Sequence, residues 1–206
     1  MTEKNLEGAY ALKTPEDSKR LYADWAETYD EDFAARLGYV YPEQLAAMLA
    51  ARGAEGPLLD IGCGTGLVGA ATAIRPLDGV DISAEMLEAA RGKDVYRDLI
   101  EADLTASLPM PGDAYRSLIS TGTFTHGHVG PEALPELVRI AAPGAIFALG
   151  INQAVFEAKG FPAALARLVA EGAITEPEYE IGAVYADDAD HDHKDDKFTA
   201  AIFLRR

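Results

Sequence analysis

LLDIGCGTGLVG, residues 58–69, begins as an apolar run and then carries glycine at three alternate positions. The glycines are Gly62, Gly64 and Gly66, and a helical pattern follows them. A strand that ends in a glycine-rich turn and opens a helix brings bare backbone against a ligand, and it is typical of nucleotide sites. The stretch therefore predicts a nucleotide site at the end of a strand, and it leaves open which nucleotide is bound.

Strand-like and helical patterns alternate on either side of this stretch. The runs PLLDI, LDGVDI, LIEAD, AYRSLIST and GAIFALGI predict strands, with helices between most of them. Such alternation implies right-handed βαβ units and a parallel sheet. The last two runs, YEIGAVYA and KFTAAIFLRR, are separated by the polar DDADHDHKDD, residues 187–196, and predict an antiparallel hairpin. The expected fold is α/β: a Rossmann-like, doubly wound, mostly parallel seven-stranded sheet with a C-terminal antiparallel hairpin and an N-terminal helical cap.

A single domain is expected over residues 1–206. Residues 1–53 read as the helical cap, because Thr14 and Pro15 suit the start of a helix and apolar residues recur at helical spacing after them. Residues 54–150 read as the cofactor-binding core. Residues 151–206 read as a further helix and the antiparallel hairpin.

Composition limits the class of protein. The chain has 206 residues, a net charge of −16 and one cysteine, so an intramolecular disulfide framework is excluded. A strongly negative surface repels phosphate backbones, and a nucleic-acid partner is therefore not expected. Neither an 18-residue apolar run nor an apolar segment in MTEKNLEGAY is present, so we expect a cytoplasmic protein without a membrane partner.

The spacing of the glycines separates two classes of nucleotide site. A dinucleotide loop would read G-x-G-x-x-G, and Leu67 stands where its third glycine belongs. A phosphate-binding G-x-x-x-x-G-K-[ST] motif is also missing. An NAD(P)-dependent oxidoreductase is accordingly the weaker alternative, and a turn without a ligand is a third interpretation.

The stretch LLDIGCGTG resembles motif I of the class I S-adenosylmethionine-dependent methyltransferases, and the resemblance extends over roughly residues 20–150. It implies S-adenosylmethionine as cofactor, and methyl transfer by in-line displacement. DNA and protein-glutamine N-methyltransferases of this fold carry an Asn/Asp-Pro-Pro-Tyr/Phe motif after the fourth strand, and STGTFTHGHVGPE, residues 120–132, does not. That stretch is similar to the methyltransferase-like family named for the Williams–Beuren region. A small-molecule acceptor of unknown identity is therefore expected, and a non-catalytic S-adenosylmethionine-binding protein is an alternative.

The resemblance assigns roles to residues at the strand ends. Asp81 closes GVDIS and would accept hydrogen bonds from the ribose hydroxyls, while Ile82 and Met86 would flank the adenine or belong to the core. Asp103 and Leu104 in EADL would meet the adenine, or Asp103 would cap a turn. Thr121 joins the cofactor-binding candidates.

Asp60 has two expected roles. It would hold the charged methionine end of the cofactor, directly or through water, or it would orient the glycine loop by accepting backbone N–H groups. Both roles suit a carboxylate at the end of the first strand.

Further candidates lie in two other segments. RLYADWAETYDEDF resembles the helical cap of small-molecule methyltransferases, in which Tyr22 and Tyr29 would close over the cofactor, or would simply pack an amphipathic helix on the sheet. His126 and His128 are the catalytic candidates, as bases for the acceptor. Hydrogen bonds within their turn, or an enzyme without an essential base, are the alternatives. The acidic segment 187–196 is expected to be a solvated turn, not a metal site.

Overall fold

The computed structural model describes residues 37–125 and 129–206, which form seven strands in the order β3-β2-β1-β4-β5-β7-β6. The strands are β1 (Leu58–Ile61), β2 (Leu77–Asp81), β3 (Asp98–Glu101), β4 (Tyr115–Phe124), β5 (Ala141–Asn152), β6 (Glu178–Ala183) and β7 (Lys197–Leu204). Strands β1 to β5 pair in parallel, and β7 pairs antiparallel with both β5 and β6. The predicted parallel sheet and C-terminal antiparallel hairpin are confirmed.

Six α-helices lie among the described residues. They are α1 (Tyr41–Ala51), α2 (Leu67–Ala71), α3 (Ala84–Arg91), α4 (Leu134–Ile140), α5 (Gln153–Ala158) and α6 (Phe161–Ala170). Ser83 caps α3 by accepting the Met86 N–H at 3.3 Å, as its sequence position predicts. A 3₁₀ turn, Pro131–Ala133, precedes α4.

Two apolar cores cover the two faces of the sheet. Leu58 packs on one face with Leu45 and Leu49 of α1, while Leu59 packs on the other face with residues of α4 and α6 such as Leu137. Neighbouring residues of β1 reach opposite cores because side chains alternate along a strand. The sheet is therefore covered by helices on both faces.

The structure differs from the predicted elements in two places. Helix α2 ends at Ala71, whereas the pattern GLVGAATAI predicts a helix of nine residues. Thr72 is extended there, and its hydroxyl accepts the Ile74 N–H at 3.2 Å, which offers the backbone an alternative to the helix. The short helix α5 was not predicted, and the Asn152 side chain caps it by accepting the Ala154 N–H.

Across residues 37–125 and 129–206, no helix combines the length and the apolar character needed to cross a lipid bilayer.

Candidate functional site

A cavity opens at the carboxyl ends of β1, β2 and β4, where the strand order reverses on either side of β1. Parallel sheets bind ligands at this switch point. Eight of the predicted site residues line the cavity: Gly62, Gly64, Asp81, Ile82, Met86, Asp103, Leu104 and Thr121. The fold therefore brings together residues spread over 60 positions of sequence.

The glycine loop curls tightly between β1 and α2. Gly62 and Gly64 have φ values of +66° and +52°, in the left-handed region that favours glycine. A side chain on Gly62 would collide with Thr123 of β4, whereas a Cβ on Gly64 would meet nothing within 4 Å. The loop is therefore packed on one side and presents bare backbone to open space on the other.

Asp81 holds this loop to the end of β2. Its Oδ2 accepts the Gly64 N–H at 2.8 Å, and its Oδ1 accepts the Ser83 N–H at 3.0 Å. Burial raises the pKa of this carboxyl, while the backbone N–H groups that it accepts act in the opposite direction. Each carboxylate oxygen retains further acceptor capacity for a ligand.

The next part of the cavity wall is mainly apolar. Met86 and Leu104 are buried, and both line the cavity beside Ile82. Asp103 lies here too, and its Oδ1 accepts the N–H of Thr105 at 2.8 Å and the hydroxyl of the same residue at 2.7 Å. The turn-capping interpretation of Asp103 is thus seen in the structure, and its place on the cavity wall keeps a binding role open.

Asp60 lies beneath the glycine loop and is not among the residues that line the cavity. It is 1% exposed, and its Oδ2 accepts the hydroxyl hydrogen of Tyr96 at 2.7 Å. Burial raises the pKa of Asp60 to about 7, the Tyr96 hydrogen bond lowers it, and the charge of Asp81 raises it. The N–H of Gly64, which Asp60 was expected to be able to accept, bonds to Asp81 instead.

The other wall of the cavity was only partly predicted. Thr121 lines it as expected, together with Val129, Tyr39 and Pro42, which sequence reasoning missed. A Cβ on Gly122 would lie 3.2 Å from the Tyr39 hydroxyl, so this tyrosine lies against the end of β4. The one available signal was the aromatic sequence GYVYPE before α1.

Four predicted residues lie outside the described part of the chain. Tyr22 and Tyr29 belong to residues 1–36, and His126 and His128 belong to residues 126–128. Their roles at the cofactor and the acceptor stay predictions.

The acidic segment 187–196 lies at the same edge of the sheet, since it connects the end of β6 to the start of β7. The Ala186 N–H donates to the Gly38 carbonyl at 2.8 Å, and the ring of His191 packs edge-on against Tyr185 at 4.4 Å. Within the described residues, no group of three His, Cys, Asp or Glu side chains could hold a metal ion.

Comparison with known proteins finds a family model that matches part of the chain. Residues 59–149 match the family described as methyltransferase domain. Human methyltransferase-like protein 27 is 33% identical over 153 residues, which cover 70% of this chain and 61% of that protein. The trans-aconitate 2-methyltransferase of Paracidovorax citrulli (strain AAC00-1) is 32% identical over 98 residues, or 45% of this chain and 37% of that enzyme. The chain thus spans less than two thirds of either relative.

A solved structure from Thermotoga maritima, described as a SAM-dependent methyltransferase and possible histamine N-methyltransferase, has the same fold. It is 18% identical, covers 89% of this chain and 97% of its own, and superposes with a TM-score of 0.62. The family match, the glycine loop and the strand order agree. Over residues 59–149 the chain is therefore similar to the methyltransferase domain family, and its fold is that of solved SAM-dependent methyltransferases.

Proposed function

We propose that the chain transfers a methyl group from S-adenosylmethionine to a small-molecule acceptor by in-line displacement. The observation that carries the proposal is the cavity at the switch point, with the bare backbone of Gly64 on one side and the half-buried carboxylate of Asp81 at its edge. A family relationship and a cavity of the matching chemistry support the same cofactor.

The residues present fit that cofactor. Asp81 would accept the ribose hydroxyls, because carboxylate oxygens form strong hydrogen bonds with such donors. Ile82, Met86 and Leu104 would offer an apolar slot to the adenine, and Asp103 would receive its amino group. Gly62, Gly64 and Gly66 would let the loop backbone approach the cofactor, and Asp60 would act on its positive end from beneath the loop.

When bound, S-adenosylmethionine supplies a methyl group attached to a positively charged sulfur. Displacement at such a carbon requires no covalent enzyme intermediate, so the chain's own contribution is to position the acceptor and to exclude water. Thr121, Tyr39 and Val129 would form the acceptor side of the cavity. His126 or His128 would take a proton from the acceptor, and Tyr22 and Tyr29 would close the cap.

The net charge of −16 favours a neutral or cationic small molecule over a nucleic acid as partner, and we propose a cytoplasmic location.

The first test is isothermal titration of the protein with S-adenosylhomocysteine, with NADH as the control ligand. We expect micromolar binding of S-adenosylhomocysteine and none of NADH. Asp81→Asn should weaken the binding at least tenfold, because a charge-assisted hydrogen bond contributes about 1.5–3 kcal/mol. Asp98→Asn is the matched control, since Asp98 is a strand aspartate outside the cavity lining. Binding of NADH alone would overturn the proposal in favour of an oxidoreductase.

The second test asks whether binding is accompanied by catalysis. Labelled S-adenosylmethionine would be offered with panels of amines, phenols, thiols and carboxylic acids, and methylated product would be sought. Binding without transfer to any acceptor would favour a non-catalytic cofactor-binding protein. With an acceptor in hand, a pH–rate profile flat from about 6 to 9 would argue against His126 and His128 as bases.

A further inference from the structure

Tyr96 lies beneath the glycine loop, in the connection between α3 and β3. Three glycines surround its ring. A Cβ on Gly66, Gly69 or Gly79 would lie 2.9, 2.6 or 3.1 Å from the nearest atom of that ring. The chain therefore approaches Tyr96 at Gly66 and Gly69 more closely than any other residue type would allow, and it packs tightly against the ring at Gly79.

The hydroxyl of Tyr96 joins the two ends of the glycine loop. It donates to Asp60 Oδ2 at 2.7 Å, and it accepts the N–H of Gly69 at 3.2 Å. Asp60 belongs to β1, before the loop, and Gly69 belongs to α2, after it. One oxygen atom thus fixes the distance that the loop must span.

The contact matters for ligand binding because its acceptor, Asp60, is a buried carboxyl group. The second oxygen of its carboxyl, Oδ1, is buried and has no hydrogen-bond partner among the described residues. The titratable groups that face it are the Tyr96 hydroxyl, the Asp81 carboxyl of β2 and the Cys63 thiol in the loop. A carboxylate with such neighbours attracts a cation above the loop, and its charge depends on the one hydroxyl that stabilises it.

We propose that Tyr96 is a positioning residue for cofactor binding: its hydroxyl holds Asp60 in the ionised form and holds the glycine loop at the width that the cofactor needs. The inference rests on the proposed assignment of the glycine loop as the cofactor cradle. Tyr96 does not line the cavity and acts through Asp60 and Gly69. A purely structural tyrosine would affect stability without changing how binding depends on pH.

The test is isothermal titration of S-adenosylhomocysteine between pH 5.5 and 8.5 with the full chain and with Tyr96→Phe. In the parent protein, affinity should increase as pH rises through 7 and level off above about pH 8, because burial raises the pKa of Asp60 to about 7 and an ionised Asp60 favours the ammonium group of the ligand. Tyr96→Phe should weaken the binding about tenfold at pH 7, as expected for a lost hydrogen bond to a charged group. Its midpoint should move to higher pH, because the hydroxyl that lowers the pKa of Asp60 is gone.

Tyr115→Phe is the matched control. The Tyr115 hydroxyl also donates to a buried aspartate, Asp78, at 3.1 Å, and neither residue lines the cavity. This variant should leave affinity and midpoint unchanged, while Asp60→Asn should remove the part of the pH dependence that Tyr96→Phe shifts.

The outcomes separate the two proposals. If the parent protein binds and Tyr96→Phe matches it at every pH, the positioning role is wrong and the cradle assignment stands. If Tyr96→Phe fails to fold, the pH dependence of affinity in the parent protein is compared with that in Asp60→Asn. Superimposable curves overturn the inference. A midpoint that is present only in the parent curve supports it. Failure of the parent protein to bind at any pH would overturn both proposals.

Discussion

Asp60 and Asp78 are both buried aspartates on neighbouring parallel strands, and they differ in the partners of their carboxyl groups. Asp60 is in register with Gly79, the residue after Asp78, so the two side chains project from opposite faces of the sheet. The Arg97 guanidinium binds both oxygens of Asp78 at 2.9 and 2.5 Å, and the Tyr115 hydroxyl donates a further bond. Asp60 receives one bond from Tyr96 and keeps a buried oxygen without a partner among the described residues.

We propose that this difference separates a carboxylate that maintains the fold from one that acts on a ligand. A buried charge is costly unless it is paired and hydrogen-bonded, and Asp78 meets both conditions. Asp60 meets neither in full, and it lies under the loop that faces the cavity. The comparison predicts that changes around Asp78 alter stability alone, and that changes around Asp60 alter ligand binding.

The largest effect should come from removing the charge of Asp60. Between the ordinary pKa of 3.8 and the value of about 7 in the folded protein, the folded state holds one more proton than the unfolded state. The free energy of unfolding therefore falls as pH rises across this window. Asp60→Asn should gain stability relative to the parent over the same window, by up to about 1.4 kcal/mol per pH unit. Urea unfolding of both proteins from pH 4 to 8 measures this. A constant difference would show that Asp60 does not titrate there.

The second largest effect on stability should come from removing the guanidinium that pairs with Asp78. Arg97→Ala leaves a carboxylate that is 3% exposed with only the Tyr115 hydroxyl. We expect a loss of about 2 kcal/mol, below the usual range for a broken buried pair, because the Arg97 side chain is itself half exposed. Affinity for S-adenosylhomocysteine should be unchanged. Arg116→Ala removes an exposed ion pair with Glu55 and should change stability by less than about 0.5 kcal/mol. A loss of ligand affinity in Arg97→Ala would contradict the prediction that changes around Asp78 alter stability alone.

The smallest effect on stability should come from the loop above Asp60. Gly64→Ala and Gly53→Ala each place a side chain at a left-handed residue with open space around it, and each should cost about 1 kcal/mol. Only Gly64 lines the cavity, so only Gly64→Ala should weaken the binding of S-adenosylhomocysteine. Thermal unfolding and titration of the two variants measure the two quantities separately. Equal affinities would mean that the loop backbone does not approach the ligand.

Much of the site could be predicted from sequence, because its parts are strand ends. Asp81 and Asp103 lie at the ends of predicted strands and Met86 lies just beyond one, and the carboxyl ends of parallel strands meet at one edge. Tyr96 and Tyr39 were missed, since neither belongs to a motif or to a helical or strand pattern. Tyr96 meets Asp60 across 36 positions of sequence, and that contact depends on how the connection before β3 folds back under the loop.

The sequence by itself determined the alternation of strands and helices and the turn at Gly62 and Gly64, because hydrophobic period and glycine are local properties. It also carried LLDI and LDGV, two apolar strands that each contain one aspartate and look alike. Only the tertiary structure decided that Asp78 is paired by Arg97 and Tyr115 and that Asp60 is left with a bare oxygen. The physical reason is that the charge state and the pairing of a buried carboxylate depend on which distant side chains fold against it.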